Sequence, residues 1–353
     1  MTTNSDRYVV IPLEVKVRDF SSRLLLSLQL CREGFNIIIG SQDIIHSQIQ
    51  NLPKSIYFDK SLSKNKLKFF KKIKNLGFRI VSQDEEGLCS LFNYERYITQ
   101  RVCNETLELA ECVFTWGKSE AKLIKDKYPK NADKIIVTGN PRIDLLQDPL
   151  IKSYEKLSFR YKENVGPYFL FPSSFTVNHA MGRENINDHL VKMGRVQNKN
   201  DLEKYNIKEK FFEKTYKEYA DLVRLVAIKF KDTKIIVRPH PSEDHAEWNK
   251  LAKGYSNIKI INDGDIASWI IGAELVVHSS CTTGMESFII GKPVISFLPY
   301  TDHEYVKQIS NKVSKVCSSK SEVIQNIKFF QTNQYFENYN RSELTSYLSK
   351  HIN

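Results

Sequence analysis

Apolar residues in this chain come as short continuous runs separated by amphipathic stretches, and that alternation sets the expected fold class. Tyr8–Leu13 is a run of strand length, Ser21–Gly34 carries helical spacing that stops at a glycine, and Phe35–Gly40 is a second strand-length run. A short apolar run bounded by turn residues marks a strand buried on both faces, whereas spacing of three and four marks a helix with one buried face. The βαβ pattern continues through strand Ser55–Phe58, a helix near Lys64–Leu76 and strand Phe78–Val81. A helix over Tyr94–Ala110, strand Cys112–Trp116, a helix over Ser119–Tyr128 and strand Lys134–Gly139 complete a first α/β half with a mainly parallel sheet.

The polar stretch Gln147–Gly166 has charge but weak periodicity and reads as a linker. Beyond it the pattern restarts with strand Pro167–Phe171, an irregular segment Pro172–Asn200 and a helix over Glu209–Phe230. Strands Lys234–Val237, Ile258–Ile261, Leu275–Val277 and Gly291–Phe297 follow, and the tail Ser319–His351 reads as helical with a polar interruption. The expected organisation is an N-terminal Rossmann-like domain over 1–160, a C-terminal nucleotide-binding one over 161–318, and a helical segment 319–353 returning to the first domain. Two such α/β/α domains are expected to face each other across a cleft.

Composition narrows the chemistry. With 353 residues and 41% hydrophobic content the chain can fill two cores. Its 52 Lys and Arg exceed 41 Asp and Glu, for a formal charge of +11, which favours an anionic partner. The six cysteines show no metal-ligand spacing and read as reduced thiols of a cytoplasmic protein. No secretory leader pattern and no apolar run of roughly 18 residues is present, so a soluble or peripheral protein is expected. Lys60–Lys74 interleaves seven lysines with Leu67, Phe69 and Phe70. Such a helix suits an anionic membrane surface, although a solvated face is the commoner reason for a lysine run. No nucleic-acid-binding motif accompanies it.

The candidate chemistry lies in polar turns that follow strands. His278-Ser-Ser-Cys-Thr-Thr-Gly284 ends a strand and opens a helix, where free N–H groups and the helix dipole favour an anion. Ser279, Ser280, Thr282 and Thr283 offer hydroxyls, Gly284 admits close approach, and Glu286 suits either a capping box or a sugar hydroxyl. Arg238-Pro-His-Pro241 stiffens a second turn: Arg238 suits a phosphate and His240 suits protonation of a leaving oxygen. Ser173, Ser174, Asn178 and His179 form a third turn of donors. In the first half Asp84-Glu-Glu-Gly87 follows a strand, and crowding of three carboxylates favours a general base. Glu14, Arg18 and Asp19 sit between the first strand and helix and fit substrate contacts or ordinary capping equally.

Taken in order, Asp84–Gly87, His240-Pro241 and the Ser279–Thr283 turn resemble the acidic-acidic-Gly, His-Pro and Ser/Thr motifs of bacterial CMP-sialic acid sialyltransferases and CMP-Kdo transferases. The whole chain is similar to bacterial surface carbohydrate biosynthesis proteins. The resemblance implies a GT-B fold and metal-independent transfer of a CMP-activated ulosonic acid to a glycan or lipid-linked glycan, with no separate cofactor. It implies Glu85 or Glu86 as base, His240 on the departing phosphate, and the hydroxyl turn as phosphate cradle, at the inner face of the bacterial membrane. A UDP- or CDP-dependent glycosyl- or glycerophosphotransferase and a non-catalytic nucleotide or glycan binder are the alternatives.

Overall fold

The computed structural model describes residues 7–84, 94–179, 191, 196, 198–301, 305–306, 308–332 and 341–352. The chain divides into two compact units, Met1–Leu150 with Arg341–Asn353, and Ile151–Asn340. The first contains strands β1 Tyr8–Leu13, β2 Asn36–Ser41, β3 Ile56–Asp59, β4 Arg79–Gln83, β5 Cys112–Thr115 and β6 Ile135–Val137, ordered β2-β1-β3-β4-β5-β6 and parallel throughout. The second contains β7 Tyr168–Pro172, β8 Lys234–Arg238, β9 Ile258–Ile260, β10 Leu275–His278, β11 Val294–Phe297 and β12 Lys315–Cys317, ordered β12-β11-β10-β7-β8-β9 and again parallel.

That second order is the doubly wound one. The chain winds outward from β7 through β8 to β9, then crosses back to β10 and winds the other way. β7 and β10 are therefore neighbours whose following connections leave in opposite directions, which opens a crevice at their carboxyl ends. In the first sheet the corresponding reversal lies between β1 and β3.

Helices on both faces account for the continuous apolar runs of these strands. All five residues of β7 are buried, as are all four of β10 and of β11. In the second unit Phe169, Phe171, Ile235, Val237, Val277 and Ile295 pack with Leu222, Val223 and Val226 of the helix Lys199–Lys229. Each such side chain contributes roughly 1.5–3 kcal/mol when fully buried.

Several elements differ from their sequence reading, each for a local reason. The stretch read as a linker contains the helix Lys152–Val165, ended by Gly166 at φ +83°. It packs on the helix Ile266–Gly272, with the rings of Tyr161 and Trp269 stacked at 4.2 Å, and its polar outer face hid its periodicity. The helix read over Tyr94–Ala110 is two, Tyr94–Arg101 and Asn104–Leu109, because Val102 bridges Leu62 and the Cys103 N–H donates to the Leu62 carbonyl. The long helix starts at Lys199 rather than Glu209, since the Asn198 side chain caps it by accepting from the Asp201 N–H. β12 escaped notice because it has three residues and two are exposed.

The tail is shared between the units. Helix Lys320–Gln331 buries Val323 and Ile327 in the second core, whereas Arg341–Leu348 belongs to the first unit. There the Ser119 N–H donates to the Lys350 carbonyl, and a Cβ on Gly117 would lie 2.4 Å from the backbone of His351. The G117A substitution is expected to dislodge Arg341–Leu348 without unfolding either sheet. Limited proteolysis should then cut near residue 340 at least tenfold faster, while circular dichroism stays largely unchanged.

Candidate functional site

The crevice between β7 and β10 is floored by Tyr219. Its fully buried hydroxyl lies 2.7 Å from the Val277 carbonyl and 3.1 Å from the Pro172 carbonyl, spanning the two strands where their pairing ends. Burial pushes its pKa well above the usual tyrosine value, so the proton stays on and the oxygen remains a donor.

A second buried group ties the β7 and β8 turns together. Glu243 is fully buried, and its carboxylate accepts from the Phe175 N–H at 2.9 Å, from the His240 N–H at 2.6 Å and from the Ser173 hydroxyl. Burial raises its pKa and these donors partly offset the rise. Ser173 also donates its N–H to the Arg238 carbonyl, so it belongs to the scaffold rather than to an open donor surface. Ser174 beside it is half-buried. Asn178 and His179 lie on the short helix Thr176–His179, and their side chains fall outside the described residues.

The β8 turn divides its two expected phosphate ligands. Arg238 is buried, and its guanidinium donates to the carbonyls of Asp263 and Gly264, fastening the loop after β9. Its fork is thus engaged by backbone, and burial lowers its pKa. His240 is half-buried, and its Nδ1 accepts from the Ser242 N–H at 3.1 Å. A neutral ring held this way carries its proton on Nε2, the arrangement of a hydrogen-bond donor or general acid.

In the β10 turn buried contacts shape the backbone. The Ser314 hydroxyl donates to the Ser310 carbonyl, so it must accept from His278 Nε2–H at 2.9 Å, and Nδ1 then accepts from the Cys281 N–H at 3.1 Å. A Cβ on Gly284 would lie 2.3 Å from His278 Nε2. Gly284 is thus required by the histidine beneath it, not only by any ligand above. Ser280 sits at φ +54°, alone among described non-glycine residues in having positive φ, and its hydroxyl accepts from Asn311 at 3.2 Å. Such a conformation costs on the order of 1–3 kcal/mol and concentrates at functional turns.

The helix Thr283–Ile290 has no side-chain cap at Thr282, although hydroxyls surround its start. Thr283 accepts from the Cys281 thiol instead, and Glu286 is buried in the first turn. Ser279, Ser280 and Thr282 remain half-buried beside this positively polarised helix end, whose Gly284 and Met285 N–H groups donate to the carbonyls of Cys281 and Thr282. The β10, β7 and β8 turns thus line the carboxyl ends of the strands, and an anion held there would meet the hydroxyls of Ser279, Ser280 and Thr282, the positive end of the helix dipole and the His240 turn.

The first unit is less complete. Asp84 is buried and forms a bidentate pair with Arg101, both contacts 2.8 Å, and its carbonyl accepts from the Trp116 indole. Asp84 is thus engaged by the fold rather than open to a substrate. Glu85 and Glu86 lie outside the described residues. Glu14 pairs with Lys60 at the ends of β1 and β3, and Asp19 accepts from the Val15 N–H to start its helix; the Arg18 side chain also lies outside the described residues. Of the lysine run, Lys66 is held by Asp59 and Gln42, while Lys64, Lys68, Lys71, Lys72 and Lys74 are exposed. Among the described residues no helix is long and apolar enough to cross a membrane, and no cluster of three or more His, Cys, Asp or Glu could hold a metal ion.

Glu243 and Tyr219 were not singled out from sequence. Glu243 reads as one more acid in a polar turn, and Tyr219 as one more helix aromatic. The E243Q substitution leaves at least one buried N–H facing an amide NH2, so a loss of about 1–3 kcal/mol is expected in denaturant unfolding at neutral pH. Because the folded state raises the carboxyl pKa, its linked stability is fully present below the unfolded value and is lost as pH rises through the folded one. The gap between wild type and E243Q should therefore narrow with increasing pH.

No known protein family and no curated protein matches the chain by sequence. Solved structures do match in shape. They include a UDP-N-acetylglucosamine 2-epimerase from Methanocaldococcus jannaschii, at 14% identity and TM-score 0.52 over 93% of this chain and 92% of that one. A variant of the wall teichoic acid polymerase TagF soaked with CDPG matches at 10% identity and TM-score 0.56, over 99% and 84%. The MnaA–UDP complex from S. aureus matches at 13% identity and TM-score 0.52, over 98% and 91%. The chain therefore has the GT-B architecture of two Rossmann-like α/β units.

Proposed function

We propose that the protein is a metal-independent transferase that takes a nucleotide-activated sugar acid from CMP and passes it to a glycan or lipid-linked glycan of the bacterial surface. The observation that carries this reading is the uncapped start of helix Thr283–Ile290 at the topological switch of the second sheet, with Ser279, Ser280 and Thr282 around it. An anion held there has its charge met by the helix dipole and the three hydroxyls. In this reading the donor phosphate lies on the Ser279–Thr283 turn, and His240 gives its Nε2 proton to the departing phosphate oxygen. Positioning and charge stabilisation, rather than a covalent step in the second unit, then supply most of the rate. The acceptor hydroxyl is deprotonated by Glu85 or Glu86, since Asp84 is bound to Arg101.

A second reading, a UDP- or CDP-dependent glycosyl- or glycerophosphotransferase, draws support from the shape likeness to TagF soaked with CDPG and to MnaA with UDP. Calorimetric titration separates the two. Tighter binding of CMP than of CDP or UDP is expected, and the reverse order favours the second reading. In turnover assays with the CMP-activated donor, H240N should lower kcat about 10²–10⁴-fold with little change in melting temperature. One of E85Q and E86Q should do the same; full activity in both removes the acidic turn from the mechanism.

A further inference from the structure

The first unit contains a cavity of about 600 Å³ that none of the chemistry above uses. It lies on one face of the sheet, where alternate residues of β1, β3, β4 and β5 point the same way: Val9, Ile56, Phe58, Val81 and Phe114 form its wall. Leu26 and Leu30 of helix Lys16–Arg32 form much of the opposite side. Helices Gln42–Gln48 and Leu67–Asn75 do not help to fill it. They pack on the other face, where His46 and Phe69 meet the ring of Tyr57, whose side chain points opposite to Ile56 and Phe58. Most of its lining is only half-buried, so it is an apolar groove open to solvent rather than an internal void, and it is large enough to hold a ligand.

The two ends of the groove differ in charge. At the amino end of the strands Arg79 and Lys74 share a single carboxylate, Glu111, with Arg79 Nε at 2.7 Å and Lys74 Nζ at 3.6 Å, which leaves one net positive charge. At the carboxyl end the lining is Gln83, Thr138, Gly139 and Asp144. Gln83 is satisfied there by the Gly139 carbonyl at 2.7 Å, and Asp144 repels an anion. The wall from Arg79 to Gln83 spans four strand steps, or about 13 Å. An apolar groove with cations near one end and a carboxylate at the other suits an amphiphile whose tail runs toward Gln83.

We propose that this cavity binds one hydrocarbon chain of an anionic amphiphile, with its carboxylate or phosphate head at Arg79 and Lys74. The assignment uses no residue of the second unit and stands apart from the donor reading.

The test titrates the full chain with alkyl phosphates of increasing length, each kept below its micelle concentration. Binding at one equivalent is expected, tightening roughly three- to fourfold per methylene until the groove is full and then levelling off. R79E should weaken dodecyl phosphate at least tenfold while leaving dodecyl glucoside unchanged, and V81W should weaken both. Cys112 lines the same cavity and provides a readout without substitution. Its alkylation by iodoacetamide, followed by peptide mass analysis, should slow at least tenfold at saturating dodecyl phosphate. A preference for dodecyl phosphate over laurate assigns a lipid phosphate as the natural head, and the opposite preference assigns a fatty acid. Absence of saturable binding, or unchanged Cys112 alkylation at saturation, overturns the proposal.

Discussion

The candidate site depends on one buried carboxylate. Where β7 and β8 end, the chain must turn away from the sheet, and the backbone N–H groups of Phe175 and His240 lose any partner in the ladder. Glu243 accepts from both and from the Ser173 hydroxyl. An unsatisfied buried donor costs about 1–3 kcal/mol, so these turns hold their shape only with that carboxylate in place. Tyr219 serves the neighbouring pair of strands, spanning the carbonyls of Pro172 and Val277. Together they keep three strand ends at a fixed spacing without presenting their own polar atoms to a ligand.

With that frame fixed, the remaining features fall to the ligand side. His278 is held by Ser314 and Cys281 and sets the path of the hydroxyl turn, Gly284 makes room for it, and Ser280 takes up the strained conformation that results. The helix Thr283–Ile290 then starts without a side-chain cap, as Lys118–Lys127 and Ala246–Ala252 also do, and what sets it apart is its start at the switch point of the second sheet. His240 has its Nδ1 occupied by backbone, which directs its proton to Nε2. Strain and hydrogen bonds thus convert a generic strand-turn-helix into a site suited to an anion.

Much of the architecture was legible in the sequence because parallel strands buried on both faces are written as continuous apolar runs. Eleven of the twelve strands among the described residues carried that signal, and the missing one, β12, is short and has two of its three residues exposed. Helix boundaries were less legible, since Asn198 caps a helix ten residues upstream of its first clear periodicity. Lys152–Val165 buries only Ser158 fully, so its pattern resembles a linker. For the site, the sequence identified the turns but not the division of labour within them. Arg238 and Ser173 have the side chains of ligand donors, yet long-range contacts to Asp263, Gly264 and Glu243 engage them in the scaffold. Such contacts span tens of residues and leave no local pattern. Asp84 is similar: only the fold brings Arg101 to it.

On the proposed function, the turns after β8 and β10 hold the phosphate of a cytidine nucleotide. Amide hydrogen exchange with and without CMP tests this most directly, because it reads the backbone N–H groups of those turns. Slowed exchange is expected mainly at residues 279–284 and 240–243, with no comparable change at the carboxyl ends of β11 and β12. Saturating nucleotide that leaves residues 279–284 unprotected, or protects only the first unit, would contradict it.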